Sequence, residues 1–230
     1  MVPVDPRLRA AVDTSLAWYD DVLALHDIPT STEDGLWWAL EPPPPWHSEV
    51  KTTEPGVDVT RVLSVYEGGS VADSFGDLDL RPHGFDVLID ATWVHHPPVD
   101  EPPASLPHGW SVVRDRTLLA EWNEAHDYAG VLLPEVLDRP SFAVLARHSH
   151  GALVGGAVVH CGDPRSDVVG LSNTWSVDSS DLDHAELLAV VGALHPGLGV
   201  ADYAWGSDLE AMVDAGYAVL GPQRVWLREA

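Results

Sequence analysis

Apolar positions near the start of the chain recur at intervals of three and four residues, which is typical of an amphipathic helix. The stripe consists of Leu8, Val12, Leu16, Tyr19, Val22 and Leu23. It predicts a helix over residues 6–25. Further along, the run Pro42–Pro45 has fixed φ angles and no backbone N–H groups, which excludes both a helix and a central strand. We expect a rigid extended turn there, closed by Trp46.

The second half of the chain alternates between strand-like and helix-like periodicity. Residues 142–147 and 152–161 are β-rich and flank a short insert that ends in Gly151, which indicates a hairpin. The predicted order is strand 109–115, helix 117–127, strands 142–147, 152–161 and 168–177, helix 182–194, strand 200–205, helix 208–216 and strand 217–227.

A proline-rich stretch separates this half from the first. Five prolines fall between Pro97 and Pro107 and no apolar periodicity runs through them, so we expect a stiff, extended connector. The predicted domains are an N-terminal lobe at 1–96, the connector at 97–107 and a second domain at 108–230.

The composition is strongly acidic. Twelve Arg and Lys residues stand against 36 Asp and Glu residues, the formal net charge is −24, and Lys51 is the only lysine. Such a surface repels phosphate backbones and anionic lipids, so neither nucleic-acid nor membrane binding is expected. The charge fits either a solubility signature or a docking surface for a cationic substrate. With no membrane-spanning run and no signal peptide at the start, we expect a soluble cytoplasmic protein; the oligomeric state is left open.

The order of elements over residues 108–230 resembles that of the GNAT acetyltransferase superfamily, and GYAVLG at 216–221 resembles the closing Gly-Phe strand motif of that family. The resemblance implies an α/β fold class, of the α+β type with a mixed sheet, in a GNAT-like C-terminal domain preceded by an N-terminal lobe. It also implies acetyl-CoA or another acyl-CoA as cofactor, and the amine of a small molecule or peptide as substrate.

The first lobe ends on a segment that echoes the end of the chain. GFDVLIDATWV at 84–94 and GYAVLGPQRVW at 216–226 share Gly, an aromatic residue and Val-Leu at matched positions. Two interpretations stay open: the lobe is a degenerate half-repeat, or two β-strands are similar by chance.

In the family that the sequence resembles, the pantetheine arm pairs with the splayed fourth strand, and the pyrophosphate binds a Gly-rich turn at a helix N-terminus. The corresponding span, 178–188, contains no Gly and no Arg. Its acidic residues are Asp178, Asp181, Asp183 and Glu186. Either Ser180 caps the helix and these acids stabilise its dipole, or the span binds a less charged donor. The residues predicted to bind the cofactor are Trp175, Ser176, Val177, Ser179 and Ser180.

The predicted catalytic residues are His160, Asn173 and Tyr203. Imidazole changes charge near neutral pH, so His160 is the best candidate for a general base, although a histidine that closes an apolar strand is also a common structural residue. Asn173 is suited to binding an amide and, if alternation holds, shares a strand face with Trp175. The general-acid tyrosine of the family falls near Met212, which cannot donate a proton, so Tyr203 or Tyr217 would replace it.

Other chemistries find little support in the sequence. His95–His96 and His148–His150 each supply too few ligands for zinc, so no metal is predicted. Cys161 is the only cysteine, which excludes an internal disulfide. No Walker loop, dinucleotide fingerprint or nucleophile elbow occurs. Two hypotheses remain: an N-acyltransferase that uses acyl-CoA or another thioester, and a non-catalytic GNAT-like binding or regulatory protein that has lost the donor site.

Overall fold

The computed structural model describes residues 3–163, 165–177 and 183–228 of the chain. The strands in these ranges form one mixed sheet. Its strands are β1 (Thr30–Glu33), β2 (Leu36–Ala39), β3 (Val50–Thr52), β4 (Ser70–Asp73), β5 (Phe85–His96), β6 (Trp110–Val112), β7 (Phe142–Ser149), β8 (Ala152–His160), β9 (Val168–Ser176), β10 (Gly199–Ala204) and β11 (Ala218–Arg228). They lie in the order β1-β2-β3-β4-β11-β5-β10-β9-β8-β7-β6. The pairs β3–β4 and β9–β10 are parallel and the other pairs are antiparallel.

The helices are α1 (Pro6–Leu25), α2 (Val59–Val65), α3 (Arg116–Ala125), α4 (His184–Leu194) and α5 (Gly206–Asp214). The helix predicted over 6–25 is confirmed. It begins at Pro6, whose fixed φ suits the first helical position, and the carboxylate of Asp5 accepts a hydrogen bond from the backbone N–H of Arg7. No helix in the described ranges is long and apolar enough to cross a membrane.

The helices divide between the two faces of the sheet. On one face, Trp18 and Val22 of α1 and Trp122 of α3 pack on β7 and β8. On the other, α4 and α5 pack on β8, β9 and β10 through residues such as Val191 and Met212. Because α1 also contacts β5, β10 and β11, it lies across the middle of the sheet and links the two halves of the sequence.

The predicted elements of the second half are present in the predicted order. The hairpin between β7 and β8 is confirmed: His150 and Gly151 have φ angles of 49° and 83°, the geometry of a two-residue turn that matches the twist of the paired strands. Strand β6 is shorter than predicted, because it pairs with β7 over Trp110–Val112.

The connector and the last strand of the first lobe lie close to the second half. Val99 and Pro102 of the connector pack against Gly192 of α4. Strand β5, which precedes the connector, lies between β10 and β11. It pairs with β11 from Phe85 opposite Arg228 onward, so the two segments that echo one another in sequence are antiparallel neighbours. The division into lobes and the half-repeat stay predictions.

Candidate functional site

Strands β9 and β10 separate within the sheet. They pair at Val168–Gly199, Val169–Val200 and Gly170–Ala201, and both continue beyond this point without further pairing between the described residues. The register between β8 and β9 shifts beside Asn173, whose φ of 51° lies in the left-handed region that Asn tolerates better than most residues. This bulge bends β9, so the two strands form a V-shaped opening.

A pocket of about 610 Å³ occupies this opening. Its walls come from α1, from β9 and β10, from the segment that follows α3 and from the turn that follows the proline run. Its lining includes the aromatic residues Trp18, Tyr19, Trp46, Trp93, Tyr128, Tyr203 and Trp205. Trp46 and Trp205 are 70% and 52% exposed, which places them at the pocket mouth. Trp46 was expected to close the proline turn. It lies inside that turn with a φ of 68°, and its Nε1 donates to the carbonyl oxygen of Asp127.

His160 lies beside the base of the opening, because it is opposite Gly170, which in turn is opposite Ala201. Its Nε2 is 2.8 Å from Oδ2 of Asp21 in α1. With the proton on Nε2, where it donates to the carboxylate, the free lone pair is on Nδ1, which is buried without a hydrogen-bond partner among the described residues. Burial lowers the pKa of His160, and Asp21 opposes that change.

Two other histidines line the pocket. His47 accepts a hydrogen bond from Nε1 of Trp18 at Nε2, and its Nδ1 lies 3.0 Å from the carbonyl oxygen of Pro45, so both nitrogens are used by the neutral ring. Burial lowers the pKa of His47 to about 4, which keeps it uncharged at neutral pH. His126 stacks on Trp175 with the rings 5.9 Å apart, and burial lowers its pKa as well.

Asn173 and Tyr203, the other two predicted catalytic residues, also line the pocket. Nδ2 of Asn173 donates to Oγ of Ser172. The ring of Tyr203 packs edge-on against Trp93 at 5.4 Å, and its hydroxyl has no hydrogen-bond partner among the described residues. Burial raises the pKa of Tyr203, so the hydroxyl keeps its proton. Tyr217, the alternative, belongs to the buried cluster under α4 and α5 and does not line the pocket.

Asp202 is a functional candidate that sequence reasoning missed. It lines the pocket, and among the described groups only the backbone N–H of Tyr203 donates to its carboxylate, at 2.7 Å. Burial, followed by the like charge of Asp208, raises its pKa well above the usual range. Asp208, by contrast, has a partner, because Nε2 of His184 lies 2.8 Å from its Oδ1. The sequence signal that could have identified Asp202 is an acidic residue inside the otherwise apolar strand β10.

The fold is shared with several solved structures. The chain is similar to a GCN5-related N-acetyltransferase from Kribbella flavida, with a TM-score of 0.63, 16% identity, and 94% and 95% of the two chains covered. It is also similar to a conserved protein of unknown function from Staphylococcus epidermidis, with a TM-score of 0.61, 14% identity, and coverage of 88% and 94%. A GCN5-related N-acetyltransferase-like protein from Streptococcus suis gives a TM-score of 0.50 at 16% identity, with 86% and 88% covered. The chain has the GNAT fold.

These similarities are structural. No family model matches the sequence, and no curated protein matches it either. At identities of 16% and below, the GNAT fold is what the solved structures establish.

The described residues among those predicted to bind the cofactor, Trp175, Ser176 and Val177, do not line the pocket. Trp175 is buried against Trp122 of α3. Ser176 donates to the carbonyl oxygen of Val154, and Val177 is exposed. Ser179 and Ser180 lie outside the described residues.

The N-terminus of α4, where the resemblance predicts a pyrophosphate site, is capped by the chain itself. The N-cap residue is Asp183, not Ser180, and its carboxylate accepts hydrogen bonds from the N–H groups of Ala185 and Glu186. The side chain of Glu186 adds a second carboxylate, which pairs with Arg147 at 3.3 Å. Two of the donors that could bind an anion are thus occupied.

Lys51 lies behind the pocket wall. Its Nζ is 5.1 Å from the ring centroid of Tyr19 and 5.5 Å from that of Trp93, two residues that line the pocket. The side chain is 1% exposed, and burial lowers its pKa to about 7.

No described group of three or more His, Cys, Asp and Glu side chains is arranged to hold a metal ion. His95 and His96 lie on opposite faces of β5, since the ring of His96 packs on Tyr217 while His95 lies near Arg7 and Asp5.

Proposed function

We propose that this protein is an N-acyltransferase that moves an acyl group from a thioester to the amine of a small molecule or peptide. The observation that supports the proposal most directly is the opening between β9 and β10, which forms a pocket with the His160–Asp21 pair beside its base. A GNAT fold raises the expectation of acyl transfer, and the pocket supplies groups that this chemistry requires.

The reaction needs a neutral amine, because an ammonium ion has no lone pair with which to attack. Nδ1 of His160 would accept the proton of the ammonium, and Asp21 would stabilise the imidazolium that results. The amine nitrogen then forms a bond to the acyl carbon and the carbon–sulfur bond breaks. The nitrogen loses its second proton to the tyrosinate that remains once the thiolate has taken up a proton. Tyr203, which keeps its hydroxyl proton and lines the pocket, is the proposed donor of that proton.

The described residues fit only part of an acyl-CoA. Beyond Gly170, the edge of β9 that faces β10 offers backbone groups to an extended pantetheine arm. The N-terminus of α4, however, presents the carboxylate of Asp183, and the nearby cation, Arg147, is already paired with Glu186. We therefore propose a thioester donor whose phosphates, where it has any, contribute little to binding.

The test compares two donors. The rate of thiol release is measured with acetyl-CoA and with acetyl-pantetheine, which lacks the phosphates, over a panel of small amines. Wild-type protein should use both donors with similar kcat/KM, and His160→Ala should abolish turnover with each. If neither donor yields thiol above the uncatalysed rate, the acyltransferase proposal is wrong.

A second function is favoured by the Asp183 cap. A helix N-terminus that is capped by its own carboxylate fits a binding or regulatory protein that has the pocket without the donor. The two proposals predict different thermal stabilities of the protein in the presence of the donor. A donor that binds would stabilise the protein by about 2.7 kcal/mol at a hundred times its Kd. A binding protein of this kind would show no shift with either donor, while a ligand of the pocket would still stabilise it.

A further inference from the structure

We propose that the acceptor is a small organic ammonium ion with an apolar or aromatic body, and that Asp202 is the carboxylate that binds its nitrogen. This inference rests on the proposed function, because it names the class of acceptor for the same pocket.

The aromatic lining points to a ligand with a flat or apolar body. Seven of the residues around the pocket carry Trp or Tyr rings, and such rings bind both apolar surface and, through their negative faces, cations. Trp46 and Trp205 keep large apolar surfaces exposed at the mouth, where a bound ligand would cover part of them.

The charges around the pocket select a cation. Asp127, Asp202 and Asp208 line it, whereas no Arg or Lys is among the described lining residues. His47, which could otherwise supply a positive charge, stays neutral because burial lowers its pKa to about 4. An anionic ligand would meet like charges, with no Arg or Lys among the described lining residues to compensate them.

Asp202 is the one of these three carboxylates best suited to hold a ligand. Asp208 already has His184 as a partner at 2.8 Å, and Asp127 is exposed, so water can solvate its carboxylate. Among the described groups, Asp202 accepts a single hydrogen bond, from a backbone N–H of its own strand. Asp202 is half-buried, and burial raises its pKa well above the usual range, which favours the neutral acid in the free protein. A ligand ammonium beside it would stabilise the charged carboxylate.

The size of the pocket favours a small molecule over a protein chain. Its volume of about 610 Å³ lies within the range of about 300–1,000 Å³ typical of small-molecule sites. The residues at its back, among them Trp93 and Ala201, are buried, which limits the length of ligand that can enter.

The experiment uses three ligands of nearly the same shape: 2-phenylethylamine, the neutral 2-phenylethanol and the anionic phenylacetate. Calorimetric titration of each into the wild-type protein, without any acyl donor, should show the amine binding at least about tenfold more tightly than the alcohol, and phenylacetate the most weakly. Equal affinity for the amine and the alcohol, tighter binding of phenylacetate, or no binding of the amine would overturn the inference. These comparisons need no variant and so do not depend on whether one folds.

Two variants then assign the carboxylate. Asp202→Asn should reduce the preference for the amine over the alcohol to less than about threefold, and Asp214→Asn, which changes the same charge at an exposed position on α5, should preserve it. A preference that survives in Asp202→Asn shows that another group binds the nitrogen. A separate titration with acetyl-pantetheine tests the donor, so that failure of the acyltransferase proposal is distinguishable from failure of this one.

Discussion

The carboxylate of Asp21 in α1 lies 2.8 Å from Nε2 of His160 at the end of β8, although the two residues are 139 positions apart in the chain. Ser141 donates a second hydrogen bond to the same carboxylate oxygen. The first helix therefore contributes directly to the candidate site, since it fixes the orientation of the imidazole and determines which ring nitrogen is free.

Removing the charge of Asp21 should weaken His160 as a base. Because Asp21 stabilises the imidazolium, Asp21→Asn should lower the pKa of His160 further, move the acidic limb of the kcat/KM profile to lower pH, and reduce kcat by roughly 10- to 100-fold. Thiol release measured across pH checks this. Ser141→Ala, which leaves the charge in place, is the control and should shift the profile little. An unchanged profile in Asp21→Asn would mean that the pair is only structural.

The buried Lys51 should make stability depend on pH. Its pKa is about 7 in the folded protein and 10.5 as a free side chain, so between these values the unfolded chain binds a proton that the folded chain does not. By linkage, the contribution of Lys51 to stability rises with pH across this window, and the cost of burying the charge is greatest below about pH 7.

The variant Lys51→Met has no charge to bury and isolates this contribution. It should be more stable than the wild type at about pH 6, and the difference should shrink by about 1 kcal/mol per pH unit between pH 7 and 10. Urea unfolding of both proteins at matched pH measures it. A difference that stays constant with pH would show that the amine is not buried as described.

Gly156 in β8 leaves room for two tryptophans. A Cβ at this position would lie 2.1 Å from Nε1 of Trp122 and 2.7 Å from Nε1 of Trp175. Gly156→Ala should therefore reduce the free energy of unfolding by about 3 kcal/mol or more. Gly221→Ala is the matched control, because the Cβ would meet only the flexible end of Leu8 at 3.4 Å. Similar stability of the two variants in chemical denaturation would contradict the packing described here.

The cap on α4 allows the donor site to be tested by substitution. Asp183→Ala should destabilise the protein by about 1 kcal/mol through loss of two hydrogen bonds to backbone N–H groups, and Asp183→Ser should recover most of that loss. Both variants remove a negative charge, so both should bind acetyl-CoA more tightly than the wild type, with little change for acetyl-pantetheine. Unchanged acetyl-CoA binding would show that the α4 N-terminus takes no part in donor selection.

The sequence by itself determined the features that depend on neighbouring residues. The stripe from Leu8 to Leu23 predicted α1, and the insert ending in Gly151 predicted the β7–β8 hairpin, because helix periodicity and turn chemistry are local properties. The order of elements in the second half also pointed to the GNAT fold, and His160, Asn173 and Tyr203 all proved to line the pocket.

Only the tertiary structure decided which distant groups meet. Nothing local to Asp21 indicates that it contacts His160, and the alternating pattern of β9 gave no sign of the register shift beside Asn173. The position of β5 between β10 and β11 likewise depends on which strand edges are free once the chain has folded. Local periodicity records which positions are buried, whereas the pocket is formed by pairing and packing between segments that are far apart in the chain.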